Sequence, residues 1–421
     1  MNDILQKLYE MTAFGSLIEN PAPLLMLVIG GILLYLGIKK QYEPLLLVPI
    51  AFGVILANLP GGGMGVVPGE FIQLDGLKQL ANPDMGLIEI EMQHRYMNLF
   101  EIAHEYGIMN FLYYMLIKTG LLPPIIFMGV GALTDFGPML RNLKLSLFGA
   151  AAQLGIFMVL LIAIAVGFTP KEAASLAIIG GADGPTAIYT TIKLAPHLLG
   201  PIAIAAYSYM SLVPVIIPLV VKLTCSKSEL MINMKEMDKL YPPKHKIKNI
   251  RTVKIIFPIV LGIVVAIFVP SAVPLVGMLL FGNLVKEIGA NTLRLSEAAS
   301  GPIMNTATIF LGLTVGATMT SEVFLAPKTL GIIVGGFFAF SVSVFGGILA
   351  VKIHNMFAKK KINPLIGATG LSAVPMSSRV ANDIALKYDS KNHVLQYCMS
   401  SNISGVIGSA VAAGVLISFL S

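Results

Sequence analysis

The sequence predicts an all-α polytopic membrane protein, with about ten transmembrane helices and two re-entrant broken-helix hairpins arranged as an inverted repeat. Three observations carry this prediction. The 421 residues are 56% hydrophobic and only 12% charged, with a mean hydropathy of +0.81, where a soluble domain carries about a quarter charged residues. Uncharged stretches of 18 to 31 residues recur at 21–38, 145–168, 198–221, 255–285, 329–351 and 394–421, and a bilayer core needs roughly 20 apolar residues per helix. The two halves also repeat one order of elements. This composition excludes an ordinary soluble enzyme, a nucleic-acid binder and a disordered chain. An outer-membrane barrel would show short segments of period-two alternation instead.

The elements follow in order. Residues 1–20 contain Asp3, Glu10 and Glu19 and lack a basic stretch followed by an apolar run, so they read as a short amphipathic helix rather than a cleavable leader. Two short spans, 21–38 and 44–58, are joined across Lys39-Lys40. The polar stretch 60–105 opens with Gly61-Gly62-Gly63 and holds seven acids against Lys78 and Arg95. Segment 106–134 returns to the membrane and 145–168 spans it. Next come 173–192, apolar except for one acid in its middle, and 198–221. A basic loop, 222–254, carries nine Lys and Arg. Then follow 255–269 and 272–285, split by Pro270 and Pro274, then 301–321, 329–351, a broken segment 362–387 and 394–421. The organisation is thus an N-terminal segment 1–20, a first membrane repeat 21–222 with an extramembrane insertion 60–105, a basic cytoplasmic loop 223–254, and a second membrane repeat 255–421.

The repeat rests on particular residues. Glu43-Pro44 opens a run containing Phe52-Gly53, and Val273-Pro274 opens one containing Phe281-Gly282. Ile126-Phe127-Met128-Gly129 resembles Ile309-Phe310-Leu311-Gly312, and each precedes a full span, a glycine-rich broken segment and another full span. Internal repeats with broken helices are a common plan of secondary transporters. The formal charge is +7, and in a membrane protein excess Lys and Arg mark cytoplasmic loops. Placing Lys39-Lys40, Arg141, Lys144, the nine-base loop and Lys359–Lys361 all inside requires 173–192 to be a re-entrant hairpin. Each half then has five crossings, an odd number, which inverts the repeats and brings two hairpins from opposite faces toward the midplane.

The sharpest chemical feature is Gly180-Gly181-Ala182-Asp183-Gly184-Pro185-Thr186. Asp183 is the only charge between Glu172 and Lys193. A carboxylate at mid-membrane costs roughly 2.5–3.5 kcal/mol on insertion scales and usually marks an ion path. The glycines permit unwinding and Pro185 removes a backbone donor. A carboxylate, freed carbonyls and the Thr186 hydroxyl suit a hard cation such as Na⁺. The plainer alternative is an Asp that caps the following helix. The second feature runs from Asn363 to Asp383 and again mixes breakers with polar side chains. Ser372 and Arg379 stand two helical turns apart with Pro375 between them. Arg379 suits either neutralising Asp183 or gripping a substrate carboxylate bidentately, and the alternative is an interfacial Arg reaching water. Tyr207, Tyr209 and Asn402 are weaker candidates within apolar spans. Thr134-Asp135-Phe136-Gly137-Pro138 reads first as a capped helix end. The six histidines and two cysteines form no metal or redox pattern, there is no P-loop, and Met234-Lys235-Glu236-Met237 lacks the β-rich domain that a biotin-accepting Met-Lys-Met requires.

With these residues in view, the chain resembles the β subunits of the sodium-pumping, biotin-dependent decarboxylases that act on oxaloacetate, methylmalonyl-CoA, glutaconyl-CoA or malonate. The likeness runs from about residue 21 to the C-terminus. It is most specific at Glu43–Leu47, Ile126–Pro138, the Asp183 motif, Ala206–Met210 and Asn363–Arg379. The resemblance implies an enzyme subunit of a primary Na⁺ pump in a prokaryotic cytoplasmic membrane. A separate biotin-carrying carboxyltransferase α subunit would supply carboxybiotin, and a small membrane γ subunit would complete a complex that includes a homo-oligomer of this chain. Na⁺ and carboxybiotin are then the substrates, with no biotin attached to this chain and no transition metal. The resemblance makes Asp183 essential for Na⁺ transport and decarboxylation. It places Asn363, Gly367, Ser372 and Arg379 in a second functional region and implicates Tyr209. With Asn402 added from its place in the last span, the candidate catalytic residues are Asp183, Ser372 and Arg379, and the candidate ion path is Asp183, Asn363, Gly367, Ser372, Tyr209 and Asn402. A Na⁺/H⁺ antiporter or a Na⁺-coupled carboxylate symporter would use a similar frame, and would work as a sole polypeptide.

Overall fold

The computed structural model describes residues 13, 20–41, 44–66, 72–74, 94–96, 98–242, 249–373 and 376–421. The helix expected over 1–20, apart from Ala13 and Asn20, and residues 243–248 of the basic loop lie outside the described residues.

The first repeat opens with α1 (Ala22–Ile38) and α2 (Pro44–Ala57). In the polar insertion, β1 (Ile72–Leu74) pairs antiparallel with β2 (His94–Tyr96). An Asn98–Glu101 capping box starts α3 (Leu99–Leu112), which continues through a π turn and meets α4 (Leu122–Leu133) at a 65° bend. Then come α5 (Gly137–Arg141), α6 (Leu143–Ala152) and α7 (Leu154–Ala165). The expected first broken segment is α8 (Pro170–Ala177), a 3₁₀ turn over Ile178–Gly181, and α9 (Gly184–Leu194). The span expected over 198–221 is α10 (Leu199–Ser211) and α11 (Val213–Thr224), bent by 70°. Pro214 sits at this bend with no N–H to return to the preceding turn. The basic loop carries α12 (Lys227–Leu230) and α13 (Met234–Leu240).

The second repeat comprises α14 (Ile250–Phe268), α15 (Val273–Ile288), α16 (Leu293–Ala298) running through a π turn into α17 (Met304–Ala317), α18 (Ser321–Phe324) and the long α19 (Pro327–Phe357). Its broken segment is α20 (Leu365–Ala368) and α21 (Met376–Tyr388), and α22 (Leu395–Leu420) ends the fold. Among the described residues, six helical stretches are long and apolar enough to cross a membrane, or up to eight with each bent pair taken as one span. The ten expected would also require α1 and α2, which are 17 and 14 residues long.

The repeats interlock. α2 packs most extensively on α17 of the other half, and α15 on α4. Both crossings are built on the glycines that mark the repeat. A methyl on Gly53 would overlap the Leu313 carbonyl, and one on Gly316 the Ile50 carbonyl; a methyl on Gly282 would overlap the Met128 carbonyl, and one on Gly131 the Leu279 carbonyl. Small residues let helix backbones touch where lipid supplies no hydrophobic drive. A buried amide also ties each crossing. Asn58 donates to the Met319 carbonyl at 2.7 Å, and Asn283 donates to the Thr134 carbonyl at 2.7 Å.

Each broken segment is a hairpin with its two ends together. α8 and α9 are 8 and 11 residues long, about 12 and 16 Å, against a hydrocarbon core of roughly 30 Å. Glu172 at the start of α8 meets His197, just after α9, with Oε1 and Nε2 2.8 Å apart. In the second hairpin, Asn363 before α20 donates to the Leu230 and Ile232 carbonyls at 2.9 and 3.0 Å, and Asn392 after α21 donates to the same two at 3.3 and 3.1 Å. The bent pair α10–α11 runs from the mouth of the first hairpin to this basic loop. The mouth of the second hairpin lies against the basic loop, gripped through the Leu230 and Ile232 carbonyls.

Candidate functional site

The two hairpin tips touch. The Ser372 backbone N–H donates to the Gly181 carbonyl at 2.9 Å, joining the breaks of the two repeats directly. Ala182 is left-handed at φ 54°, a conformation that costs a non-glycine residue on the order of 1 kcal/mol. It turns the chain out of the 3₁₀ turn and into the N-cap of α9. Asp183 is that cap, since its Oδ1 accepts from the Thr186 N–H at 3.2 Å. The capping reading and the ion-path reading are compatible, because the second carboxylate oxygen is used differently. Asp183 Oδ2 accepts from the Ser372 hydroxyl and the Ser409 hydroxyl, both at 2.9 Å. Asp183 is 5% exposed. One buried carboxylate is thus held by its own hairpin, by the opposing hairpin and by α22.

The unwound backbone of the second hairpin is held by two amides. Asn402 of α22 donates to the Thr369 carbonyl at 3.3 Å, to the Leu371 carbonyl, and to the Ser377 hydroxyl at 2.9 Å. Gln153, in the one-residue break between α6 and α7, donates to the intervening Gly370 carbonyl at 3.2 Å. Three consecutive carbonyls are therefore gripped from alternate sides. Tyr207 lies against the other tip, where a methyl on Gly184 would overlap its ring.

The remaining sequence candidates fall elsewhere. Arg379 is exposed on α21, one turn past its start, and among the described residues it makes no hydrogen bond or ion pair, with Asp183 or any other group. Asn363 is fully buried at the hairpin mouth. Its amide is spent on the Leu230 and Ile232 carbonyls, and its oxygen accepts from the Leu365 N–H at 3.0 Å. Gly367 forms a close crossing with Gly347 of α19, where a methyl on either would overlap the other's carbonyl. The Tyr209 hydroxyl donates to the Ile333 carbonyl, and its ring meets Phe337 edge-on at 6.2 Å. Asn363 and Gly367 hold the second hairpin against its surroundings, and Tyr209 ties α10 to α19. Asp135 behaves as a helix-end cap, accepting from the Gly137 N–H at 2.8 Å and pairing with Lys254 at 2.5 Å. Burial works against its charge, but Lys254 and the Gly137 N–H outweigh burial and keep its carboxyl below the usual range.

Sequence reasoning missed Ser409 and Gln153. A lone Ser among Gly405, Gly408 and Ala410 has no local signature. Gln153 had a signal, being the only amide in the span 145–168, where a polar side chain must find a partner.

Comparison with known proteins shows the family. A family model described as the Na⁺-transporting oxaloacetate decarboxylase beta subunit matches residues 22–420. The methylmalonyl-CoA decarboxylase subunit beta of Propionigenium modestum is 46% identical over 419 residues, covering 97% of each chain. The probable oxaloacetate decarboxylase beta chain of Vibrio cholerae is 44% identical over 420 residues, covering 94% of this chain and 95% of its own. The methylmalonyl-CoA decarboxylase subunit beta of Veillonella parvula is 44% identical, covering 97% and 95%. With the family model matching nearly the whole chain, and helices long and apolar enough to cross a bilayer, this multi-pass membrane protein belongs to the β-subunit family of the Na⁺-transporting oxaloacetate decarboxylases, subunits of multi-subunit decarboxylase complexes.

Proposed function

We propose that this chain is the membrane subunit of a primary Na⁺ pump in a prokaryotic cytoplasmic membrane. It decarboxylates carboxybiotin presented by a biotin-carrying carboxyltransferase α subunit, in a complex with a small γ subunit and further copies of itself, and it couples that step to Na⁺ export. In the reaction the bond between the ureido nitrogen and the carboxylate carbon breaks, CO₂ leaves and the nitrogen takes a proton. The observation that carries the reading is the Asp183 carboxylate, buried where the two hairpin tips meet and held by hydroxyls from Ser372 and Ser409. A cation entering there meets a fixed negative charge, two hydroxyl oxygens and unwound backbone. Arg379 is the complementary group. Exposed on the hairpin that opens toward the basic loop, and without a partner among the described residues, its guanidinium suits the carboxylate of carboxybiotin bidentately. As Na⁺ binds beside Asp183 and Ser372, a proton taken up from the outer face passes to the ureido nitrogen.

The relatives include β subunits named for both oxaloacetate and methylmalonyl-CoA. The choice of acid belongs on this reading to the carboxyltransferase. An antiporter or symporter would need no such partners. The test is Asp183→Asn in the assembled complex in liposomes, with carboxybiotin decay and ²²Na⁺ uptake followed together. Both are expected to be lost. Full Na⁺-dependent decarboxylation by the variant would defeat the coupling, and Na⁺ movement on a pH gradient without any effect on carboxybiotin would favour the carrier.

A further inference from the structure

Gln153 is 6% exposed, and its Nε2 faces three carbonyls from three parts of the fold. It lies 3.3 Å from the Gly149 carbonyl on its own helix, 3.2 Å from Gly370 at the second hairpin tip, and 3.3 Å from Gly405 on α22. This environment fixes which way the amide points, because the reverse orientation would set an oxygen against three oxygens. Oε1 is therefore directed away from them, and among the described residues nothing donates to it. A buried acceptor without a donor costs about 1–3 kcal/mol, and most such groups in folded proteins have a partner.

The direction Oε1 takes is informative. The point where a Cβ on Gly181 would stand lies 3.0 Å from Ser409 Cβ, 3.4 Å from Ile156 Cδ1 and 3.8 Å from Gln153 Oε1. The Ser409 hydroxyl is already on Asp183, and the Gly181 carbonyl is already on the opposing tip. A second amide, Asn402, repeats the pattern, with its nitrogen on the Thr369 and Leu371 carbonyls and, among the described residues, no donor to its buried Oδ1. Amide oxygens are among the ligands that hard cations take.

We propose that Gln153 is a Na⁺ ligand through Oε1, on the side of the Gly181 tip where the Ser409 hydroxyl meets Asp183. Its nitrogen then ties the occupied site to the tip of the second hairpin through Gly370. This rests on the reading of Asp183 as the Na⁺ locus. The predicted signature is a Na⁺ affinity that depends on the side chain at position 153 even when no decarboxylation takes place.

The experiment is thermal unfolding of the detergent-solubilised protein, with K⁺ replaced by Na⁺ at constant ionic strength. Wild type is expected to gain stability saturably with Na⁺ and not with K⁺. Gln153→Leu, similar in shape but without the oxygen, is expected to raise the half-saturating Na⁺ about ten- to hundredfold, the range for losing a group that holds a metal site. Gln153→Glu, which keeps an oxygen toward the cation but loses the amide donor to the three carbonyls, is expected to raise it about tenfold, and no more than Gln153→Leu does. If either variant fails to fold, the other decides, and an unchanged half-saturation overturns the proposal. If both fail to fold, the density of wild type in saturating Na⁺ decides: a cation in contact with Gln153 Oε1 supports the proposal, and a cation site without it overturns it. A wild type with no Na⁺-specific response defeats the Na⁺ reading itself, and this inference with it. A wild type that responds, an Asp183→Asn variant that does not, and Gln153 variants that follow wild type defeat the Gln153 proposal alone.

Discussion

Removing one hydroxyl from Asp183 is the sharpest perturbation the site offers. The carboxylate has three visible donors, the Thr186 N–H at 3.2 Å and the Ser372 and Ser409 hydroxyls at 2.9 Å. Ser372→Ala and Ser409→Ala each delete one hydroxyl without touching the cap or the Ser372 backbone bond to Gly181. A hydrogen bond to a charged group contributes about 1.5–3 kcal/mol, and about 1.4 kcal/mol corresponds to a factor of ten. The loss falls on the charged, oriented form of Asp183, which is the form that binds a cation. Each variant is therefore expected to raise the half-saturating Na⁺ for decarboxylation about ten- to hundredfold. The assay is carboxybiotin decay and ²²Na⁺ uptake by the reconstituted complex across a Na⁺ series at fixed ionic strength. Ser404→Ala is the control, because its hydroxyl sits on the same helix but donates to the Ser146 and Ser401 carbonyls. The reasoning is refuted if both test variants keep a half-saturating Na⁺ within about twofold of wild type, since the two bonds would then carry no energy in the step that binds Na⁺.

Other expectations concern the frame around the site. Gly53→Ala and Gly282→Ala each push a methyl into a carbonyl of the partner helix, an overpacking that costs about 1–3 kcal/mol. Both are expected to lower the melting temperature in detergent, whereas Gly31→Ala, with open space around it, is expected to leave it unchanged. Asn363→Ala and Asn392→Ala each remove an amide that grips the Leu230 and Ile232 carbonyls, for about 1–3 kcal/mol apiece. Limited proteolysis from the face carrying the basic loop is expected to cut within 226–241 faster in either variant, and equal rates would show that these bonds do not hold the loop down.

Much of this was legible because the relevant signals are local. Asp183 stands alone among glycines in an apolar run, and the structure places it at the tip of a hairpin. The Phe52-Gly53 and Phe281-Gly282 pairs mark the repeat, and their glycines prove to be the points where the halves cross. Partnership was less legible. Arg379 and Asp183 are the two charges nearest the breaks, and the sequence allowed them to pair, but the carboxylate takes hydroxyls and the guanidinium stays exposed. Asn363 and Tyr209 read as polar groups along an ion path, whereas their polar atoms hold distant backbone carbonyls. Which carbonyl a buried amide or phenol reaches depends on packing across the fold, and periodicity along one helix carries no record of it. The bend at Leu212 and the break at Gln153 lie inside runs that read as continuous spans, since apolar periodicity persists through a kink.

The crossed pairing of α2 with α17 and of α15 with α4 has a consequence for how the chain is made. Asn58 and the carbonyl it grips at Met319 are 261 residues apart. When α2 enters the bilayer, the helix that will cover Gly53 has not been synthesised, and the ribosome must produce most of the protein before it is. The first half therefore waits, with a glycine-lined helix face turned to lipid or to transient helpers, until the second half threads into it. Neither half is a finished unit that later docks with the other.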